Sequence, residues 1–360
     1  MIDTRKLKKI TSPGVLLVFM ICLWHCSPSP PPPTGWPVDP TNQEHEIGNS
    51  AEEFQQYSSS PDPAPYFHDG LDILISPPHP DAASPSLRAV RDGYLSFSRG
   101  TDVKNHSLIL KVGDILYTYG HVDENATQAC MGANFSMDGT PVFVTANKEI
   151  GKVVEWPICA NNREFHHIHF RITDSTGSVY FNPLLFLQPR NDTTAPRVKL
   201  IRFFKQEDPT IEFYADPPTD PIQVNGSVDI VANIEDTIFS TLHNTGIYYF
   251  SYTIGQEAGD HDTIFSYSFD KIPPKQKVSE MYRVNECSSD YCFLEDYEYI
   301  VTNVVNGKIN GNGAWNTLAL DEQGFRKFPD GNYKVTVTAT DMSGNSDSME
   351  VKVKVKNENI

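Results

Sequence analysis

Short runs in which apolar and polar residues take turns dominate this chain, and they limit what it can fold into. Val351, Val353 and Val355 alternate with Lys352, Lys354 and Lys356, which gives one apolar and one basic face if the segment is extended. The same period of two runs through Val228, Ile230, Ala232 and Ile234, through Tyr248, Phe250, Tyr252 and Ile254, and through Tyr333, Val335, Val337 and Ala339. Val198, Leu200 and Arg202 begin another such run, and Asp341-Met342-Ser343-Gly344-Asn345 supplies a turn before the last one. Half-buried strands separated by turn residues predict a β-sandwich over residues 191–360, with Thr193-Thr194-Ala195-Pro196 at its boundary. The region is long for one sandwich, so residues 257–320 are expected to hold an insertion or irregular strands.

The first half carries a different signal. His68-Asp69-Gly70-Leu71-Asp72, Tyr119-Gly120-His121 and His167-Ile168-His169 together hold histidines and carboxylates at metal-ligand spacing. A catalytic zinc uses three protein ligands of this kind and keeps a fourth position open. Gly70 and the following Ile73-Leu74-Ile75 argue against a helix from His68 to Asp72 and for a loop entering a strand. On that reading the glycine lets the backbone turn. His167 and His169 are two apart, so a strand turns both imidazoles to one side while Ile168 faces away. His166 falls on the opposite face. His79, His106, His243 and His261 have no motif around them. Asp69, Asp92 and Asp123 are read first as solvated turn residues and second as partners that orient a histidine.

Taken together, these motifs resemble the lysostaphin-type (LytM-like) zinc endopeptidases, which cut peptide cross-links in bacterial cell walls. The segments Arg88 to Leu95, Ser107 to Leu110, Leu116 to Tyr119 and Val142 to Val154 look like the family's connecting strands, so the resemblance spans residues 63–175. It implies Zn2+ bound by His68, Asp72 and His169. It also implies that His121 and His167 carry the chemistry, as general base and oxyanion donor in an order left open. The chain departs from the family at Gly120, where alanine is usual, and at Arg171, where an acid is usual. The closing Asp-x-x-Gly-Asn hairpin resembles bacterial Ig-like modules. The expected fold is therefore all-β: a compact antiparallel zinc peptidase domain over 63–190, or starting near residue 45, followed by an Ig-like sandwich. The expected function is hydrolysis of peptidoglycan peptides, and the alternative is a catalytically silent wall-binding module or a regulator of another wall hydrolase.

Residues 1–26 read as an export signal, with Arg5, Lys6, Lys8 and Lys9 ahead of the apolar run Val15 to Trp24. Cys26 stands where a bacterial lipoprotein signal is lipidated, although Trp24 and His25 replace the usual small residues; lipidation, release and an uncleaved anchor are the three readings. A lipid at Cys26 is the membrane contact that the sequence suggests. Pro30 to Pro33 open a Pro/Ser-rich tether expected over 27–62. An exported enzyme of the cell envelope fits an oxidising compartment, for which Cys130–Cys159 and Cys287–Cys292 are the expected disulfides among three pairings. The formal net charge of −17 argues against nucleic acid as a partner.

Overall fold

Strands carry most of the regular structure, and nearly all of them pair antiparallel, as the alternation requires. The computed structural model describes residues 32–57, 64–75, 85–154, 166–239, 244–257, 263–283, 291–293 and 297–357. In chain order the first half forms β1 (Ile47–Asn49), β2 (Phe54–Tyr57), β3 (Tyr66–Phe67), β4 (Leu71–Leu74), β5 (Ser86–Arg88), β6 (Gly93–Ser98), β7 (Ser107–Val112), β8 (Ile115–Gly120), helix α1 (Glu124–Met131), β9 (Val142–Val144), β10 (Glu149–Lys152), β11 (His167–Asp174) and β12 (Tyr180–Phe181). The main sheet runs β1-β4-β11-β8-β7-β6-β9, with β12 beside β11, while β5 and β10 form a separate ribbon.

That order sets β4, β11 and β8 side by side. Leu95 and Phe97 of β6, Leu108 and Leu110 of β7, Tyr117 and Tyr119 of β8, and Ile168, Phe170 and Ile172 of β11 are buried in one core. Phe170 packs edge-on against Tyr119, with ring centroids 5.3 Å apart, and lies 6.4 Å from Tyr117. Aromatic pairs of this kind contribute about 0.5–1.5 kcal/mol each beyond their buried area. They fix the strand that carries His167 and His169.

The second half forms β13 (Arg197–Lys205), β14 (Asp208–Phe213), β15 (Ile222–Val224), β16 (Ser227–Glu235), β17 (Tyr249–Gln256), β18 (Thr263–Ser268), β19 (Tyr291–Phe293), β20 (Tyr297–Ile300), β21 (Val304–Val305), β22 (Lys308–Ile309), β23 (Trp315–Asn316), β24 (Gly331–Thr340) and β25 (Ser346–Val355). One sheet has the order β14-β13-β16-β20 with β23 beside β16, the other β15-β25-β24-β17-β18. Val228, Ile230, Ala232 and Ile234 meet Val335, Val337, Ala339, Val353 and Val355 in one buried cluster, which makes the pair of sheets a sandwich. β13 departs from the expected alternation. Its register with β16 slips between Val198 and Leu200, so Ile201 and Phe203 turn inward while Leu200 stays 48% exposed. A bulge inserts one residue and moves every later side chain to the other face. The described parts of residues 257–320 hold short strands, 3-10 turns and one helical turn over Val278–Met281.

The expected tether ends sooner than residue 62. Trp36, Val38, Ile47 and Ala51 are fully buried, and the Asp39 carboxylate accepts two hydrogen bonds from Arg88. The polyproline composition masks these apolar residues, which have a core to enter. The two halves also interlock: Phe54 and Phe67 join the sandwich core, and Ile238 of the sandwich joins the core of the first half. Strand β2 lies between β3 and β19, so both halves contribute to that small sheet. The signal over residues 1–26 with Cys26, and His79, Cys159, His243, His261 and Cys287, lie outside the described residues. Among the described residues no helix is long and apolar enough to cross a membrane.

Candidate metal centre

Strand register brings the expected ligand residues together. His169 of β11 sits directly opposite Asp72 of β4, and His167 opposite Leu74. His68 lies on the loop between β3 and β4, as its sequence context predicts. The three inner donor atoms form a small triangle: His169 Nδ1 is 2.9 Å from Asp72 Oδ1 and 3.1 Å from His68 Nε2, and His68 Nε2 is 3.3 Å from Asp72 Oδ1. Zinc bonds of about 2.0–2.1 Å put tetrahedral ligands about 3.3–3.4 Å apart, close to these edges.

The outer atoms of the same residues are already committed. His68 Nδ1 lies 2.8 Å from the Ser50 carbonyl, and His169 Nε2 lies 2.9 Å from Asp69 Oδ1. Both acceptors lack protons, so the outer ring nitrogens donate and the inner ones carry lone pairs. Asp72 Oδ2 accepts from Asn49 Nδ2 at 2.8 Å. Three lone-pair donors therefore converge on one point, an arrangement that could hold a cation. The donor set, two imidazoles and a carboxylate, fits zinc.

Without a metal, protons take up part of that demand. Burial alone would lower His169, but Asp69 and Asp72 outweigh it and push it up to about 9. Burial likewise opposes the charge on His68, and Asp72 more than offsets it, so its pKa is also raised. Burial would raise Asp72, yet His68, His167 and His169 hold it well below the usual carboxylate range.

His121 and His167 stand beside the triangle. Their ring centroids are 4.7 Å apart, and His167 Nε2 is 3.8 Å from Asp72 Oδ1. His121 follows directly after β8 and takes a left-handed backbone, φ 61°. That conformation is costly for a residue with a side chain. Its Nδ1 donates to the Lys104 carbonyl at 2.7 Å, which leaves the lone pair on Nε2. Burial, then the neighbouring His167, lowers its pKa to about 4, so it is neutral at physiological pH.

Gly70 serves by absence rather than by turning. Its φ is not left-handed, but an added Cβ would come within 2.7 Å of His169 Nε2 and 2.9 Å of the Phe170 carbonyl. Gly120, the last residue of β8, would place a Cβ 3.2 Å from the His169 Cβ.

Several residues of the site were not legible as such in the sequence. Asp69, read first as a solvated turn acid, orients His169 and is itself held by Arg171 Nη1 at 2.8 Å. Arg171, a departure from the family pattern, thus completes a relay from surface to ligand. Asn49 and Ser50 enter through β1, whose Asn49 pairs with Asp72. Asp123 caps α1 by accepting the Ala126 amide, and Asp92 accepts the Ala146 amide, 54 residues further along the chain. His45 packs against Trp36, and His106 accepts the Gly100 amide, both as structural residues. Cys130 is a free thiol 3.3 Å from Glu149 Oε1, and Cys159, its expected disulfide partner, lies outside the described residues.

Behind His68 lies a buried acidic corner. The Glu53 carbonyl accepts the His68 amide at 2.7 Å, and the Glu53 carboxylate accepts from the Ser50 amide and from the Gly246 amide of the sandwich. Burial pushes Glu53 up to about 7 and Glu52 well above the carboxylate range. Tyr282 Oη donates to the Glu52 carbonyl at 3.0 Å. The sandwich thereby braces the loop that holds His68. Residues 76–84 and 155–165, which adjoin β4 and β11 in sequence, lie outside the described residues. Comparison with known protein families, curated proteins and solved structures returns no match.

Proposed function

We propose that the chain is an exported zinc metalloendopeptidase that hydrolyses peptide cross-links of bacterial peptidoglycan. The observation that carries the metal and the chemistry is the donor triangle of His68, Asp72 and His169, with two further imidazoles at its side. The substrate class rests on the resemblance of the motifs to the lysostaphin-type endopeptidases, and the envelope location on the N-terminal signal.

Bound zinc supplies a Lewis acid for the scissile carbonyl and an acidified water as nucleophile. Around it, this chain's residues do the rest. His121 is neutral, anchored through Nδ1, and presents the Nε2 lone pair that takes up the proton of the attacking water. His167, next to it on the ligand side, donates toward the oxygen on which negative charge develops. Asp69 and Arg171 hold His169 in the tautomer that turns Nδ1 inward. The Ser50 carbonyl does the same for His68, and Asn49 orients the Asp72 carboxylate so that Oδ1 faces inward.

The test is incubation of the purified full chain with isolated peptidoglycan, with chelator, and with chelator followed by added zinc. Mass spectrometry of the released muropeptides is expected to show cut cross-links that vanish with chelator and return with zinc. Co-sedimentation with the wall without any such product, across walls of different cross-link chemistry, would replace this reading with a silent binding module.

A further inference from the structure

A second cluster of oxygen ligands lies away from the zinc site, where the linker between the halves meets the sandwich. Asp192, Asp236 and Asp341 each offer a carboxylate oxygen, and these lie within 4.8 Å of one another. Asp236 and Asp341 are each only 2% exposed. Three carboxylates this close repel one another strongly in a buried setting. Arg190, whose charge interacts with Asp341, donates its Nη1 to the Leu184 carbonyl.

The cluster is also short of donors. Asp236 Oδ1 accepts the Thr237 amide at 2.8 Å, but Asp236 Oδ2 is buried with no hydrogen-bond partner. Thr245 exchanges both backbone hydrogen bonds with Asp236, at 2.8 and 3.3 Å. Residues so paired project to the same face. The Thr245 hydroxyl beside Asp236 is fully buried and equally unpartnered. Glu44, whose charge acts on Asp192, has a third buried, unpartnered oxygen in Oε1. Buried polar atoms are nearly always satisfied, so such a convergence of orphans points to a missing ligand.

The scaffold is set firmly. Asn345 Nδ2 bonds both Asp341 Oδ2 at 2.7 Å and the Asp192 carbonyl at 3.0 Å, and the Asp341 Oδ1 takes the Ser343 and Asn345 amides at 2.8 Å. Asp341 Oδ2 and Asp236 Oδ1 each keep a second lone pair for a cation, and Asp236 Oδ2 keeps both. The set is all oxygen, without histidine or cysteine. That selects a hard cation, and several protein carboxylates with adaptable geometry suit calcium better than magnesium.

We infer that Asp192, Asp236 and Asp341 bind one Ca2+ that clamps the linker onto the β24–β25 turn and the end of β16. The test uses the full chain carrying one equivalent of zinc, titrated with calcium chloride by calorimetry and followed by thermal melting. One calcium per chain is expected, with a rise in melting temperature of a few degrees at about one hundred times the dissociation constant. Asp236→Asn is expected to weaken calcium binding by tenfold or more while zinc content stays at one per chain. Asp192→Asn, at a less buried position, provides a second variant should Asp236→Asn fold poorly, and is expected to weaken binding in the same sense. A wild-type chain that neither binds calcium nor melts higher with it overturns the assignment. So does calcium binding left unchanged in both variants, or a preference for magnesium.

Discussion

Gly70→Ala puts one methyl group where the His169 ring now sits. The new Cβ would lie 2.7 Å from His169 Nε2, 2.8 Å from its Cε1 and 2.9 Å from the Phe170 carbonyl. Ordinary contact needs about 3.5 Å, so the ring or the loop must give by about 0.8 Å. The ring has little freedom to do so, because Asp69 and Asp72 hold its two nitrogens at 2.9 Å on either side. The Phe170 carbonyl belongs to a central strand and cannot retreat either. Overpacking of this kind costs about 1–3 kcal/mol. Metal ligands tolerate only about 0.2 Å of displacement, so zinc affinity is expected to fall by about 10–100-fold or more. Zinc affinity is read by competition with a chromophoric chelator, and stability by urea denaturation. Zinc affinity in Gly70→Ala within twofold of wild type would refute the claim that His169 is positioned through the space left at residue 70.

His121→Ala and His167→Ala are each expected to retain zinc and lower peptidoglycan turnover by about 10²–10⁴-fold, whereas His169→Ala loses the metal; zinc analysis of the purified variants separates the roles, and a zinc-free His121→Ala would reverse the assignment. Asp69→Asn is expected to weaken zinc by about 10–100-fold without unfolding the chain, and an unchanged affinity would return Asp69 to the status of a turn residue. Glu53 binds its proton more tightly in the folded chain, since its pKa rises from 4.5 to about 7. Its contribution to stability is complete below the unfolded value and is lost as pH rises through about 7. Glu53→Gln should therefore flatten the fall in urea midpoint between about pH 5 and pH 8, with both proteins zinc-loaded; parallel pH profiles would contradict the buried, protonated state.

The parts of the fold that alternation governs are the parts the sequence discloses. Val228 to Ile234 and Tyr333 to Ala339 face inward as their period predicts, and the period of two likewise puts His167 and His169 on one side of β11. Leu200 escapes that logic because a bulge changes the face within a single strand. Trp36 and Val38 escape it because their Pro-rich surroundings resemble a tether, and Glu52 and Glu53 because adjacent acids ordinarily stay in water. The three residues of the donor triangle and the paired imidazoles can be picked out by residue type and spacing. Asn49, Ser50 and Arg171 cannot, because their roles depend on strand register and on contacts between residues up to 102 positions apart. Gly70 stands between these cases: its identity is visible, but the reason for it is a close approach rather than a turn.

His68, Asp72 and His169 are proposed to hold one zinc ion. X-ray absorption at the zinc edge of the full chain, loaded with one equivalent, tests it most directly. A first shell of nitrogen and oxygen at about 2.0–2.1 Å, with two imidazoles and no sulfur, is expected. A sulfur shell at about 2.3 Å, or a chain that retains no zinc after loading, would contradict it.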